Sequence, residues 1–197
     1  MEKKERTGIK LTLLLTIVSG GMFFFSGSRL LYPNHFSGGQ SPQIVVKEVE
    51  PFVYFSLRQK GPFTLVEATI NQLIETARSQ NIYPAGPLIA IFHTAPADTK
   101  PGEMEWEVGF PVTPQALVQA PLEKKVWQFS PVASCVHVGP YDKTGETIQK
   151  MFEWLEENGY VQAGPVLETY LDIDPSKVQA QQLRTEIWIP CKKQTGL

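Results

Sequence analysis

The first hydrophobic feature of the chain is an uncharged run from Leu11 to Phe25, which follows a short basic segment. The basic side chains are those of Lys3, Lys4, Arg6 and Lys10. A positive start followed by an apolar run is typical of a secretory signal peptide or of an uncleaved signal anchor. The pattern predicts such a segment over residues 1–31, followed by a linker rich in Gly, Pro and Ser over residues 32–43.

This leader also predicts where the rest of the chain lies. Basic residues tend to stay on the cytoplasmic side of a membrane, so we expect the remainder outside the cytoplasm. If the leader is retained, the protein is anchored in the membrane. If it is cleaved, the protein is secreted or periplasmic. The sequence leaves both outcomes open and favours retention.

Beyond the linker the pattern of apolar positions occurs twice. Gly61-Pro-Phe63 recurs 78 residues later as Gly139-Pro-Tyr141, and Ala85-Gly-Pro87 recurs at the same spacing as Ala163-Gly-Pro165. Between these anchors, both copies carry apolar residues at i, i+3, i+4 and i+7, which predicts an amphipathic helix. The apolar residues are Ile70, Leu73, Ile74 and Ala77, then Ile148, Met151, Phe152 and Leu155. An internal duplication explains this agreement.

Each copy is predicted to run strand, helix, strand, strand, or βαββ. Copy one covers about residues 44–112, with strands near 44–57, 88–93 and 104–110 and a helix near 65–80. Copy two covers about residues 132–191, with strands near 132–138, 166–171 and 184–189 and a helix near 144–158. The expected fold of residues 44–193 is α+β: an antiparallel-rich sheet with two helices on one face and a ligand groove on the other.

Composition narrows the function classes. The chain has 197 residues, 42% of them hydrophobic, and 18 basic residues against 20 acidic ones. This balance lacks the excess of basic residues that is typical of nucleic-acid-binding proteins, so no nucleic-acid partner is expected. The two cysteines, Cys135 and Cys191, fall at apolar positions of the repeat, either as core residues or as a disulfide in an oxidising compartment. Three dispersed histidines and the absence of a phosphate-binding motif predict neither a metal nor a cofactor.

The order of these motifs resembles the GyrI-like (gyrase-inhibitor-like) small-molecule-binding family, which also supplies the effector-binding domains of certain AraC-type and MerR-type regulators. The similar segments are Val138-Gly-Pro-Tyr141, Ala163-Gly-Pro-Val166 and Thr185-Glu-Ile-Trp-Ile-Pro-Cys191, with their counterparts in copy one. The resemblance implies a duplicated βαββ fold and a ligand cleft. Since the leader stands where a regulator would carry its DNA-binding segment, a transcription-factor role is not expected.

Candidate site residues follow from alternation along the last strand of each copy. Glu186 and Trp188 share one face, whereas Ile187 and Ile189 share the other and suit the helices. Glu107 occupies the position in copy one that Glu186 occupies in copy two. The resemblance implies a ligand-contacting glutamate on the last strand, which assigns that role to Glu186. A carboxylate beside aromatic rings suits a lipophilic cation.

Two tyrosines complete the predicted site. Tyr170 and Tyr54 could line the groove or pack in the core. Glu168 shares the face of Tyr170 and is a weaker candidate. The function expected first is binding of a small hydrophobic or cationic molecule by a membrane-tethered or exported domain. The alternative is a small-molecule hydrolase that uses a Glu/Tyr acid–base pair drawn from Glu107, Glu186 and Tyr170.

Overall fold

The computed structural model of the protein describes residues 43–94, 99–172 and 174–194. The leader predicted over residues 1–31, and all but the last residue of the predicted linker, lie outside the described residues. Within the described ranges, no helix has the length and apolar character needed to span a membrane. The elements are β1 (Val45–Lys47), β2 (Phe52–Lys60), α1 (Val66–Ser79), β3 (Ile89–Phe92), β4 (Glu105–Pro111), β5 (Glu123–Trp127), β6 (Val132–Val138), α2 (Thr144–Glu157), β7 (Tyr160–Gln162), β8 (Val166–Tyr170) and β9 (Arg184–Lys193).

The strands form one sheet in the order β1-β6-β9-β8-β3-β4-β2-β5, with β7 paired separately to β9. Every pairing is antiparallel. The prediction of an antiparallel-rich sheet with two helices is therefore confirmed. Copy one contributes β2, α1, β3 and β4, and copy two contributes β6, α2, β8 and β9.

The two copies meet at the central pair of strands, β3 and β8. Here Ala90 lies opposite Glu168, and these two residues are equivalent positions of the repeat, 78 residues apart. A residue that pairs with its own equivalent must lie beside the symmetry axis. The pseudo-two-fold axis of the domain therefore passes between Ala90 and Glu168.

The predicted first strand over residues 44–57 is wrong in one respect, because the chain forms two strands there. β1 leaves copy one and pairs with β6 of copy two, whereas β5, which precedes copy two, pairs with β2 of copy one. Pro51 stands in the break between β1 and β2, where its missing N–H could not extend a ladder. The two copies thus exchange their leading strands.

Both helices cover the same face of the sheet. A continuous row of cross-strand partners, and hence of side chains on one face, runs through the six central strands. The row is Leu57, Val108, Ala90, Glu168, Ile187 and Cys135. At one end α1 buries Leu73 and Ala77 in one apolar cluster, and at the other α2 buries Met151 and Leu155 in a second.

Glycine is required where each first strand turns toward its helix. Gly61 has φ of 133° and Gly139 has φ of 147°, conformations in which a side chain is strained. Two residues beyond the end of each helix stand Asn81 (φ 56°) and Gly159 (φ 68°). These are residue types that tolerate the left-handed conformation of a helix stop.

The two cysteines are free thiols buried in the second cluster. Cys135 lies opposite Ile187, which is four residues before Cys191 on β9. At ~3.3 Å per residue the Cα atoms are about 13 Å apart, well beyond the ~7 Å that a disulfide allows. Both cysteines are core residues, and a bond between them is excluded by the fold.

Candidate functional site

A cavity of about 540 Å³ opens between the beginnings of the two helices. It lies on the helix-bearing face of the sheet and is not the groove that the sequence predicted on the opposite face, which stays a prediction. Each helix packs mainly on strands away from the seam between the copies, α1 on β4 and β2 and α2 on β7, β6 and β9. The central strands β3 and β8 are left uncovered between the helices.

The walls of the cavity come from both copies. Phe63 and Tyr141, which are equivalent positions of the repeat, both line it, and so do the equivalent Val66 and Thr144. Phe92 from β3 and Ile148 and Phe152 from α2 add apolar surface. Most of the lining is therefore aromatic or aliphatic, which is the usual character of a small-molecule site.

Glu168 is the buried charged group in this lining. Its side chain is 2% exposed, and the Tyr170 hydroxyl donates a hydrogen bond to its Oε2 at 2.9 Å. Burial raises the pKa of Glu168, and the neighbouring hydroxyls of Thr144 and Tyr170 oppose this rise. Among the described residues, no lysine or arginine forms an ion pair with Glu168.

Two tyrosines stand beside this carboxyl. The rings of Tyr141 and Tyr170 meet edge to face, with centroids 5.0 Å apart. Burial, together with the nearby Glu168, raises the pKa of Tyr170. Burial, together with Asp172, raises the pKa of Tyr141. Both phenols therefore stay protonated at neutral pH: Tyr170 donates its proton to Glu168, and Tyr141 keeps its hydroxyl as a further donor beside the cavity.

The residues predicted from the sequence divide between the two faces. Tyr170 adjoins the cavity through its bond to Glu168. Glu107, Glu186, Trp188 and Tyr54 lie on the face away from the helices, as the alternation predicted for the two glutamates, and none of the four lines the cavity.

Glu107 is held by its own set of donors. It is 1% exposed, and it accepts hydrogen bonds from Ser56 at 2.6 Å, Lys125 at 2.6 Å and Tyr54 at 3.2 Å. His93 Nε2 lies 3.0 Å from its Oε1. Burial alone would raise its pKa, but the bonds from His93, Lys125 and Ser56 outweigh burial and lower the pKa of Glu107 to about 2. A carboxylate with both oxygens occupied is a structural charge.

Glu186 has a reduced version of the same arrangement. Lys47 Nζ lies 2.7 Å from its Oε1, and Ser134 donates to the same oxygen at 3.0 Å. Lys47 also stands over the Trp188 ring, 4.9 Å from its centroid. Glu186 and Trp188 therefore already share a cation supplied by the protein. The two lysines, Lys47 and Lys125, are equivalent positions on the two exchanged strands.

The model of the GyrI-like small-molecule-binding domain matches residues 42–192. The chain belongs to this family. The resemblance noted in the sequence is thereby confirmed. No curated protein sequence matches the chain significantly.

Solved structures share the fold of this GyrI-like domain. The C-terminal domain of EcmrR superposes with a TM-score of 0.69 at 21% identity, over 78% of this chain and 99% of that one. In the EcmrR–DNA complex the chain spans 58% of EcmrR, at 20% identity and a TM-score of 0.69. A hydrolase from Listeria innocua gives a TM-score of 0.54 at 14% identity, over 77% of this chain and 92% of that one.

A further structure is that of SAV2435 bound to tetraphenylphosphonium. It superposes with a TM-score of 0.54 at 11% identity, covering 78% of this chain and 94% of that chain. At these identities the comparisons establish the fold and leave the ligand of this chain to be argued from its own cavity.

Glu168, a weaker candidate in the sequence, lines the cavity, whereas Glu107 and Glu186 do not. The signal that identifies it is the repeat itself, because Glu168 in copy two stands where copy one has Ala90. A carboxylate that replaces a small apolar residue in the middle of a buried row does not improve the packing.

Within the described residues, no cluster of three His, Cys, Asp or Glu side chains could hold a metal ion.

Proposed function

We propose that the cavity binds a small lipophilic cation, with the Glu168 carboxylate as its counter-ion. The observation that carries this proposal is the buried Glu168 at the cavity wall, with a hydroxyl partner but no cationic one among the described residues. Ionising such a carboxyl is costly unless a positive charge comes with the ligand.

The surroundings of Glu168 favour a cation with apolar substituents. The rings of Phe63, Phe92, Tyr141 and Phe152 line the cavity, and ring faces attract cations. The volume lies within the range of about 300–1,000 Å³ typical of sites for drug-sized ligands. SAV2435, which shares the fold, is described as bound to tetraphenylphosphonium, a lipophilic cation. That likeness supports the same class of ligand here.

A second candidate function is hydrolysis of a small electrophilic molecule in this cavity. Glu168 and Tyr170 form a hydrogen-bonded carboxyl–phenol pair, and the carboxyl has a raised pKa, which is the arrangement of a general acid or base. A structural neighbour is called a hydrolase. Of the acids first considered for this chemistry, Glu107 and Glu186 are engaged by lysines on the other face. Turnover of a panel of epoxides and activated esters that is lost in Glu168→Gln would favour this function over simple binding.

We also propose that the domain is tethered outside the cytoplasm, which rests on the leader over residues 1–31 alone. Membrane fractionation and protease treatment of intact cells test this placement. A reporter at the C-terminus should be digested from outside. An intact, soluble cytoplasmic protein that retains residues 1–25 would contradict it. That the chain takes no nucleic-acid partner stays a prediction.

The binding proposal is tested by calorimetric titration of the full-length protein with tetraphenylphosphonium and with tetraphenylborate, two ions of similar shape and opposite charge. We expect binding of the cation and little of the anion. Glu168→Gln should weaken cation binding about 10- to 100-fold, because the buried charge of the ligand loses its partner. The matched control is Glu186→Gln, which removes a strand glutamate on the other face and should leave the affinity within about twofold of the parent. Equal losses in the two variants, or equal binding of both ions, would contradict the proposal.

A further inference from the structure

The cavity has two different walls, although it lies on the pseudo-two-fold axis. Around the axis, copy one presents Phe63 and Val66 where copy two presents Tyr141 and Thr144. On the central strands, copy one has Phe92 in β3 where copy two has Tyr170 in β8. On the axis itself, Ala90 faces Glu168. At each of these equivalent pairs, the hydroxyl or carboxyl belongs to copy two.

The aromatic rings of the two copies have the same spacing, although their interplanar angles differ, 53° for Phe63 and Phe92 and 75° for Tyr141 and Tyr170. Phe63 and Phe92 are 5.0 Å apart between ring centroids, and Tyr141 and Tyr170 are also 5.0 Å apart. The added oxygens therefore change the hydrogen-bonding capacity of one wall while the spacing of its rings equals that of the other wall.

Copy one also contributes two polar residues to the lining, His93 and Thr94, and each already has one polar partner outside the cavity. His93 Nε2 is 3.0 Å from Glu107 on the other face of the sheet. Thr94 Oγ1 accepts a hydrogen bond from the backbone N–H of Glu105 at 3.0 Å. In copy two, the Thr144 hydroxyl donates to the carbonyl oxygen of Tyr141 at 3.0 Å and keeps its lone pairs as acceptors.

We propose that the cavity selects a monovalent cation with a hydrogen-bonding group on one side and an apolar ring on the other. The cavity binds this cation in a single orientation. The charge lies against Glu168, a hydrogen-bonding group of the ligand points to Tyr141 and Thr144, and an apolar ring lies against Phe63 and Val66. This inference rests on the proposed binding of a cation. Rotating such a ligand by 180° about the axis would bury its polar group against Phe63 and Val66 with no partner, which makes that orientation about 5- to 150-fold less populated.

The test uses two probes that differ by one hydroxyl group, tetraphenylphosphonium and (3-hydroxyphenyl)triphenylphosphonium, titrated into the full-length protein. The quantity measured is the ratio of their dissociation constants. We expect the hydroxylated cation to bind about 10-fold tighter to the parent, as one buried hydrogen bond is gained. In the double variant Tyr141→Phe/Thr144→Val, which gives copy two the residues of copy one, the ratio should fall to about one.

Two further variants separate this inference from simpler explanations. Phe63→Tyr/Val66→Thr makes both walls polar and should preserve the preference for the hydroxylated probe, since either orientation then satisfies the hydroxyl. Glu186→Gln, on the other face, should leave the ratio as in the parent. If tetraphenylphosphonium binds but the parent shows no preference, or if the preference survives Tyr141→Phe/Thr144→Val, the one-sided cavity is wrong while cation binding stands. If neither cation binds, both proposals are overturned.

Discussion

Glu107 and Glu168 are two fully buried carboxylates on opposite faces of the same sheet, and their surroundings differ completely. Glu107 is enclosed by a lysine, a histidine and two hydroxyls, and the bonds from His93, Lys125 and Ser56 lower its pKa to about 2. Glu168 has a tyrosine hydroxyl and an apolar cavity, so that burial raises its pKa. Burial of a glutamate does not by itself mark a binding site. We expect a binding site where a buried carboxyl has no cationic partner in the protein, so that a ligand can supply the positive charge.

The sharpest test of this contrast is the stability of Glu107→Gln. We expect a loss of about 3 kcal/mol in the free energy of unfolding at pH 7, because Lys125 and His93 lose an ionised partner in a buried network. The native pKa of Glu107 is depressed, so its contribution is present above the unfolded pKa near 4.5 and is lost as the pH falls toward about 2.

Urea denaturation of the parent and Glu107→Gln over this pH range measures the difference. The two proteins should converge in stability at the acid end. A variant within ~0.5 kcal/mol of the parent at pH 7 would show that the network around Glu107 contributes nothing.

The second prediction concerns the pH dependence of cation binding. Since the pKa of Glu168 is raised, the free protein carries a neutral carboxyl below that pKa, and a cation must displace the proton. Affinity for tetraphenylphosphonium should therefore rise with pH by up to about tenfold per unit, and become constant above the pKa of Glu168.

Calorimetry in a series of buffers gives this profile. His93 and Asp142 also line the cavity and carry titratable groups, so Glu168→Gln is the necessary comparison. The remaining affinity of Glu168→Gln for the cation should not show the pH dependence that ionisation of Glu168 causes in the parent. A profile of the same slope in Glu168→Gln would assign the proton to another group.

A smaller effect is expected from Glu168→Gln on stability. The native pKa of Glu168 is raised, so its neutral form is favourable below the unfolded pKa and the parent loses stability as the pH rises through the native pKa. The glutamine variant should therefore equal the parent near pH 4 and be up to about 1 kcal/mol more stable at pH 7 and above. Thermal unfolding at both pH values measures the difference. A variant that is strongly destabilised at pH 7 would make Glu168 a structural charge like Glu107.

The smallest effect is expected from Glu186→Gln, the positional equivalent of a change at Glu107. The pair with Lys47 is partly exposed, with side-chain exposures of 31% for Lys47 and 13% for Glu186. Its removal should cost about 0.5 kcal/mol. Denaturation in parallel with Glu107→Gln checks this ranking, and a cost equal to that of Glu107→Gln would refute it.

Much of the fold follows from the sequence because it depends on local patterns. The helical stripes, the Gly-Pro turns and the left-handed residues at the helix ends are each readable within one copy. The exchange of β1 and β5 depends on pairing between segments about 80 residues apart, and the short, polar β5 has no strong strand pattern. The equivalence of Lys47 and Lys125 was the one signal for it, and it becomes meaningful only when their glutamate partners are known.

The site was harder to predict than the fold. Alternation correctly separates Glu186 from Ile187, but it does not reveal that the two helices part over β3 and β8 and leave a cavity on their own face. The resemblance assigned the role of the ligand-contacting glutamate to the last strand, and Glu186 satisfied that description. Comparing the two copies position by position would have favoured Glu168, since a carboxylate facing Ala90 across the axis breaks the symmetry of an otherwise apolar row.

The face of the sheet on which a lipophilic cation binds decides between Glu168 and Glu186 as its counter-ion. Backbone amide shifts of the isotope-labelled full-length protein, followed by NMR during titration with tetraphenylphosphonium, report this without any substitution. We predict that the largest shifts occur at residues 63–66, 141–148 and 166–168, around the interhelical cavity. Shifts concentrated instead at Ser134, Glu186 and Trp188 would place the ligand on the opposite face of the sheet and contradict binding in the cavity beside Glu168.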